Sequence, residues 1–304
     1  MNSFDLTNID DIKELLRIHG TRAKKMFGQN FLVDKATLKK IITAGDIHGD
    51  DQVLEIGPGL GTLTHEILKK TKNLTSLEMD SDMVRIVTQN MQKLHPQDEL
   101  ANWKPIHMDA LKFDVADSHI KSGYKIIANI PYFITSPLLR HFLKDQYLQN
   151  LTSAITPIIP SIIIFLIQKE VAQKIVDKKK ESVLGLNIKI FGSPEIIDCV
   201  PASSFYPAPK VNSAILKIKV FDKPKIDLTK INLVDFFKLV EAGFSSPRKK
   251  LYNNLMNFFK ISVEDTKKLL TKTGIDPNLR AERLKIEDWE NLTKYTIKVL
   301  TFKS

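Results

Sequence analysis

Three groups of residues have types and spacing that could do chemistry. The first is Glu55-Ile-Gly57-Pro-Gly59-Leu-Gly61, which follows the strand expected at Gln52–Leu54 and precedes a helical pattern. Glycines at a strand-to-helix turn let a ligand approach the backbone, and the following helix start offers free N–H groups. A dinucleotide fingerprint would read G-x-G-x-x-G with an acid about 20 residues on. Here the spacing is G-x-G-x-G, and Glu78 ends the next strand, 17 residues after Gly61. A carboxylate there can accept both hydroxyls of a ribose. A tight structural turn explains the glycines alone; with Glu55 and Glu78 in place, a nucleoside-containing cofactor is the better reading. S-adenosylmethionine fits better than NAD, because it has no pyrophosphate to seat.

The second group is Asn129-Ile-Pro131-Tyr132, directly after the apolar run Tyr124–Ala128. Open α/β sheets place ligands at the ends of parallel strands. An exocyclic amine on a base is a poor nucleophile, since its lone pair is delocalised into the ring. An amide oxygen and a backbone carbonyl could accept its two N–H bonds and favour a pyramidal nitrogen. Tyr132 could stack on a base taken out of its helix. A sulfonium methyl donor is already electrophilic, so no strong general base is needed. A plain strand-ending turn is the competing reading of these four residues.

The third is Phe205-Tyr206-Pro207-Ala-Pro209-Lys210. Its prolines stiffen a loop in which Phe205 is either the second wall of a base pocket or a core residue. A further basic run, Ser246-Pro247-Arg248-Lys249-Lys250, suggests N-cap then N1 of a helix with apolar face Leu251, Leu255 and Phe258. Cations in a first turn oppose the helix dipole, which makes sense if phosphates arrive there; a solvated charged start is as good a reading without context.

These groups need elements to hold them. Strands are expected at 52–56, 74–77, 104–107, 124–128 and 162–167, with helices at 9–18, 35–42, 63–70, 81–94, 138–142 and 170–176. Alternation of this kind means an α/β fold with a mostly parallel sheet. Gly185–Phe191, Glu195–Val200 and Ser213–Val220 are rich in Val and Ile and are expected to complete the sheet. Beyond Phe221 the patterns are helical, at 234–242, 249–259, 263–271 and 286–299. Residues 223–304 hold 17 Lys+Arg against 10 Asp+Glu, whereas 1–222 hold 28 against 25. Domains are therefore expected at 1–222 and 223–304.

Composition narrows the classes. The 304 residues are 43% hydrophobic and 26% charged, which is globular rather than disordered, and the net charge of +10 favours a polyanionic partner. Cys199 is the sole cysteine, so there is no internal disulfide, and the seven histidines show no metal-ligand spacing. The most apolar stretch, Ile158–Ile167, is about half the roughly 20 residues of a membrane span. No secretory signal is read at the N-terminus, and a cytoplasmic, monomeric protein is expected.

Together the motifs resemble the bacterial small-subunit ribosomal RNA adenine dimethyltransferases (the KsgA/RsmA family) over nearly the whole chain. The matching segments are Phe27–Asp34, Val53–Thr64, Glu78–Asp80, Asp109–Leu111, Asn129–Tyr132, Gln168–Val171, Val200-Pro through Ser213, and Gly274 through Leu284. The resemblance implies a Rossmann-like class I S-adenosylmethionine-dependent methyltransferase domain followed by a small all-helical domain. It implies transfer to N6 of two adjacent adenines in the 3′-terminal hairpin loop of 16S rRNA, in the small subunit or a late assembly intermediate. Carried over by motif, Asn30, Leu32, Gly57, Gly59, Glu78, Asp109 and Asn129 would contact the cofactor. Asn129 and the Pro131 carbonyl would orient the target amine, with Tyr132 and Phe205 stacking on the base. RNA contacts are expected at Lys24, Lys25, Arg248, Lys249 and Lys250. Ser246-Pro247 stands where the family usually has Gln-Arg, and the segment from about 144 to 161 is longer than usual. The related 23S rRNA methyltransferases share Asn-Ile-Pro-Tyr, and Gln168–Val171 with Arg280–Leu284 favour the small-subunit enzymes. A DNA adenine methyltransferase would more often carry a proline at Ile130. A non-catalytic assembly factor is disfavoured by intact Glu55, Glu78, Asp109 and Asn129.

Overall fold

The computed structural model describes residues 4–152 and 156–300, leaving aside the side chains of 150, 152 and 297–300. Nine strands occur among them: β1 (Phe31–Leu32), β2 (Val53–Ile56), β3 (Leu74–Glu78), β4 (Lys104–His107), β5 (Lys125–Asn129), β6 (Ile162–Gln168), β7 (Gly192–Val200), β8 (Phe205–Tyr206) and β9 (Ser213–Val220). Seven form one sheet in the order β4-β3-β2-β5-β6-β9-β7, while β1 and β8 pair with each other. Neighbours from β4 to β6 are parallel, and β9 runs antiparallel to β6. Between β2 and β5 the strand order reverses, which opens a crevice beyond their carboxyl ends.

The parallel strands are apolar on both faces because both are covered. Val53, Ile127, Ile164, Leu166 and Ile215 share a core with α1 (Ile9–Ile18), α2 (Lys35–Gly45), α3 (Thr62–Leu68) and α4 (Ser81–Leu94). The alternating positions Leu54, Ile126, Ala128, Ile163 and Phe165 point to the other face and are fully buried as well. Asn8, Asp34 and Asp80 cap α1, α2 and α4 by accepting backbone N–H groups. After β5 come α5 (Thr135–Arg140), a π turn at His141–Asp145 and α6 (Gln146–Thr152).

The chain divides into two compact units, 1–173 with 194–220, and 174–193 with 221–304. The sequence expectation of a domain at 1–222 puts residues 174–193 with the first part of the chain; by their contacts they group with 221–304. Their apolar stretch is not a strand: it lies in α8 (Val183–Phe191), which follows α7 (Lys169–Val176). Ser182 caps it by accepting Gly185 N–H at 3.0 Å. Phe191 stacks on Phe237 at 6.2 Å between centroids, which ties α8 to α9 (Leu233–Gly243). The second unit adds α10 (Leu251–Phe259), α11 (Val263–Lys272) and α12 (Ile286–Leu300), and among the described residues no strand follows Val220. Its centre is Trp289, whose ring lies so close to Gly243 that a Cβ there would sit 2.2 Å away. The basic run does not start a helix at Ser246. Ser246–Lys249 is a turn, closed by Lys249 N–H donating to the Ser246 carbonyl at 3.0 Å, and Lys250 is the N-cap of α10. Leu251 and Leu255 are buried on α10, but Phe258 is exposed.

Candidate active site

A cavity of about 280 Å³ fills the crevice beyond β2 and β5. The loop after β2 forms its floor. Gly57, Gly59 and Gly61 take φ of +68°, +57° and +96°, a region open to glycine and costly for other residues. Each has its own task. Gly57 N–H extends the β3 ladder to the Leu77 carbonyl at 2.9 Å, and Gly61 N–H closes the turn on the Pro58 carbonyl at 2.9 Å. A Cβ on Gly61 would meet Met91 Cε at 2.7 Å and Val87 Cγ2 at 2.9 Å, so this glycine lets the loop lie against α4.

Two carboxylates line the cavity. Glu78 accepts Gly59 N–H on Oε2 at 3.1 Å and Asp80 N–H on Oε1 at 2.9 Å, leaving further lone pairs on both oxygens. Burial pushes its carboxyl above the usual range, against those two N–H bonds, which lower it. Asp109 caps a short turn by accepting Leu111 N–H at 3.0 Å. Among the described residues, no lysine or arginine lines the cavity. Glu55 is elsewhere: fully buried behind the loop, it accepts Thr64 Oγ1 at 2.8 and 3.0 Å and Ser76 Oγ at 2.7 Å. Ser76 in turn accepts Trp103 Nε1 at 3.0 Å. Burial raises the Glu55 carboxyl from 4.5 to about 7, with the two hydroxyls acting in the opposite sense.

Asn129 ends β5 at the opposite wall. Its Nδ2 donates to the Asn30 carbonyl at 3.0 Å, and Asn30 Nδ2 donates to the Gly28 carbonyl at 3.0 Å. The segment 27–32 is thereby laid along the cavity, with Asn30 and Leu32 in its lining. Its other end is held by Asp80, which accepts Gln29 Nε2 at 2.8 Å and Lys24 Nζ at 2.7 Å. Gly28, at φ +60°, allows this path: a Cβ there would lie 2.9 Å from Pro131 Cβ and 3.2 Å from the Phe133 ring.

The structure brings only some of the expected residues to the cavity. Pro131 and Tyr132 line the cavity, and Tyr132 OH is 2.7 Å from Ser213 Oγ. Phe205 does not line it: paired with Leu32 across β1 and β8, it is 3% exposed in the core. Phe133, the residue after the motif, lines the cavity and is 66% exposed. Its adjacency to Tyr132 was the available sign. Lys24 is no free cation, because Asp80 and Asp82 hold it at 2.7 and 2.8 Å and raise its pKa. Lys25 is exposed, as are Arg248, Lys249 and Lys250 in the second unit, where Lys250 Nζ reaches Asn278 Oδ1 at 2.7 Å.

A crevice with two carboxylates, no cation and apolar walls at Met79, Met108 and Ile130 suits a positively charged nucleoside and not a pyrophosphate. Residues 20–298 match the family model described as ribosomal RNA adenine dimethylase. The chain belongs to that family. As a ribosomal RNA adenine dimethylase it is an S-adenosylmethionine-dependent methyltransferase, and Glu78 and Asp109 line its crevice. It is 36% identical over 283 residues to ribosomal RNA small subunit methyltransferase A of Dehalococcoides mccartyi strain 195, covering 92% of this chain and 90% of that one. The Clostridium botulinum strain Loch Maree protein of the same name is 34% identical over 286 residues, covering 92% and 96%. Among solved structures, a dimethyladenosine transferase from Plasmodium falciparum is 26% identical with a TM-score of 0.66, covering 88% and 97%. The 23S rRNA methyltransferase ErmE, 24% identical, shares the fold with a TM-score of 0.65 over 88% and 99%. No described helix of this dimethylase is long and apolar enough to cross a membrane, and no described group of His, Cys, Asp and Glu could hold a metal.

Proposed function

We propose that this dimethylase methylates N6 of two adjacent adenines in the 3′-terminal hairpin loop of 16S rRNA. Its substrate is the small subunit or a late assembly intermediate, and it acts as a cytoplasmic monomer. Two relatives more than 30% identical along almost their full lengths carry small-subunit names, which supports that target over 23S rRNA. The observation that carries the chemical reading is the cation-free crevice joined to Asn129, whose Nδ2 is already engaged by the Asn30 carbonyl.

The roles follow from that arrangement. Glu78 takes the ribose hydroxyls of the cofactor and Asp109 the amine of its adenine, while Gly57 and Gly59 allow close approach. Asn30 and Leu32 form the facing wall. Bound there, S-adenosylmethionine supplies an electrophilic methyl on a sulfonium. Asn129 lines the cavity, and with its Nδ2 engaged its Oδ1 is the acceptor offered to the target amine. The Pro131 carbonyl is a second acceptor, with one lone pair already given to Ile134 N–H at 3.2 Å. Tyr132 and Phe133 provide the aromatic faces for the base, Phe133 taking the place expected of Phe205. Arg248, Lys249 and Lys250 meet the rRNA backbone.

The test is transfer of labelled methyl to small subunits from cells lacking this modification, with naked 23S rRNA and DNA in parallel. About four methyls per subunit, as two dimethyladenines in the last hairpin, are expected. Label confined to 23S rRNA would overturn the target assignment, and subunit binding without label would overturn catalysis.

A further inference from the structure

The connection between α7 and α8 is Asp177-Lys178-Lys179-Lys180-Glu181. Its two acids hold the loop in shape. Asp177 Oδ1 accepts the N–H groups of Lys179 at 2.7 Å and Lys180 at 3.1 Å. Lys189 Nζ, on a side chain only 15% exposed, bonds both Glu181 oxygens at 2.9 and 2.8 Å and also the Asp177 carbonyl. One nearly buried ammonium thus pins both ends of the loop. Lys178, Lys179 and Lys180 are exposed and, among the described residues, none is ion-paired, though the Lys179 and Lys180 N–H groups and the Lys180 charge help to hold the Asp177 carboxyl below its usual range. Ordering a surface segment costs about 1–2 kcal/mol per residue, and ordering one that crowds like charges costs more. A merely solvated run gains nothing from being pinned.

The loop is also joined to other cations of the same unit. Glu181 N–H donates to the Glu282 carbonyl at 2.8 Å, beside exposed Arg283. Three residues before Glu282, the Leu279 carbonyl accepts Leu251 N–H at 2.8 Å, directly after Arg248–Lys250. Main-chain bonds therefore bring three segments that carry basic residues, 178–180, 280–283 and 248–250, close together within the second unit. We propose that Lys178–Lys180, with Arg283, form a phosphate-binding surface that continues the one at Arg248–Lys250 and grips a further stretch of RNA backbone. The proposal rests on the rRNA reading given above.

The experiment compares the full-length parent, K178Q/K179Q/K180Q and R248Q/K249Q/K250Q. Affinity for deproteinised 16S rRNA and for unmethylated small subunits is measured across salt concentrations, alongside affinity for S-adenosylmethionine. Each lost phosphate contact removes roughly 0.7–0.9 from the slope of log K against log salt, so the 178–180 variant should be shallower by about two. Its affinity should fall about tenfold or more at moderate salt on both substrates, with cofactor affinity unchanged. An unchanged 178–180 variant beside a weakened 248–250 variant overturns this proposal alone. If both variants bind as the parent does, the second unit is not the RNA grip and both readings fall. A loss seen only on subunits, and not on bare RNA, assigns the loop to a ribosomal protein and also overturns the proposal.

Discussion

Glu55→Gln should make the protein more stable above neutral pH and change it little in mild acid. The Glu55 carboxyl is fully buried, and burial raises its pKa from 4.5 to about 7. Below pH 4.5 it is neutral in both the folded and the unfolded chain, so folding carries no ionisation penalty. Between 4.5 and 7 the unfolded chain releases the proton while the folded one keeps it, so stability falls as pH rises. At about 1.4 kcal/mol per pH unit, the full penalty above pH 7 is about 3 kcal/mol. Glutamine keeps an acceptor for the Ser76 hydroxyl and can donate to Thr64 Oγ1, so the hydrogen-bonded geometry survives. Urea unfolding followed by circular dichroism at pH 5 and pH 8 checks this. The variant should exceed the parent by up to about 3 kcal/mol at pH 8 and by less than about 1 kcal/mol at pH 5. A gap of the same size at both pH values, or a variant that is weaker at pH 8, would refute the desolvation argument.

Asn129→Ala should abolish methyl transfer while calorimetric affinity for S-adenosylmethionine stays within several fold; parent-like turnover would remove the role given to Asn129. Phe133→Ala should raise the KM for RNA by tenfold or more and spare cofactor affinity, since base–aromatic stacking is worth about 1–3 kcal/mol. Phe205→Leu should lower the melting temperature and leave that KM unchanged, and the reverse pattern would return the stacking role to Phe205. Gly61→Ala should destabilise by about 2–4 kcal/mol, from a left-handed backbone and crowding of Val87 and Met91, read as a lowered urea midpoint.

The parts of the site built from local sequence were legible. The glycine turn, Glu78 and Asn129 each lie at the end of an apolar run, and the strand order then brings those ends together. What was not legible depends on partners distant in the chain. Lys24 reads as an exposed cation until Asp80, 56 residues on, is seen beside it. Phe205 and Phe133 both follow strands and lie near prolines, and only the pairing of Phe205 with Leu32 shows which ring is buried. Val183–Phe191 fails for another reason: an apolar run of this length has no polar face to reveal its period, so β-branched content pointed to a strand. The Ser246-Pro247 pair mimics a helix start, but the chain makes a turn first and α10 begins only at Leu251.

The bond from Asn129 Nδ2 to the Asn30 carbonyl has an arithmetic consequence. A carbonyl can only accept, so this bond fixes which end of the Asn129 amide carries the nitrogen. On the function proposed above, the Oδ1 then meets the target edge as an acceptor: adenine offers hydrogens there, whereas guanine offers a carbonyl that would set lone pair against lone pair. Each proposed transfer would replace one of the two amine hydrogens by a methyl, so the hold on the base would weaken with each step and leave dimethyladenine with stacking alone. The Asn30 carbonyl, 99 residues from Asn129, would thus bear on base choice and on product release.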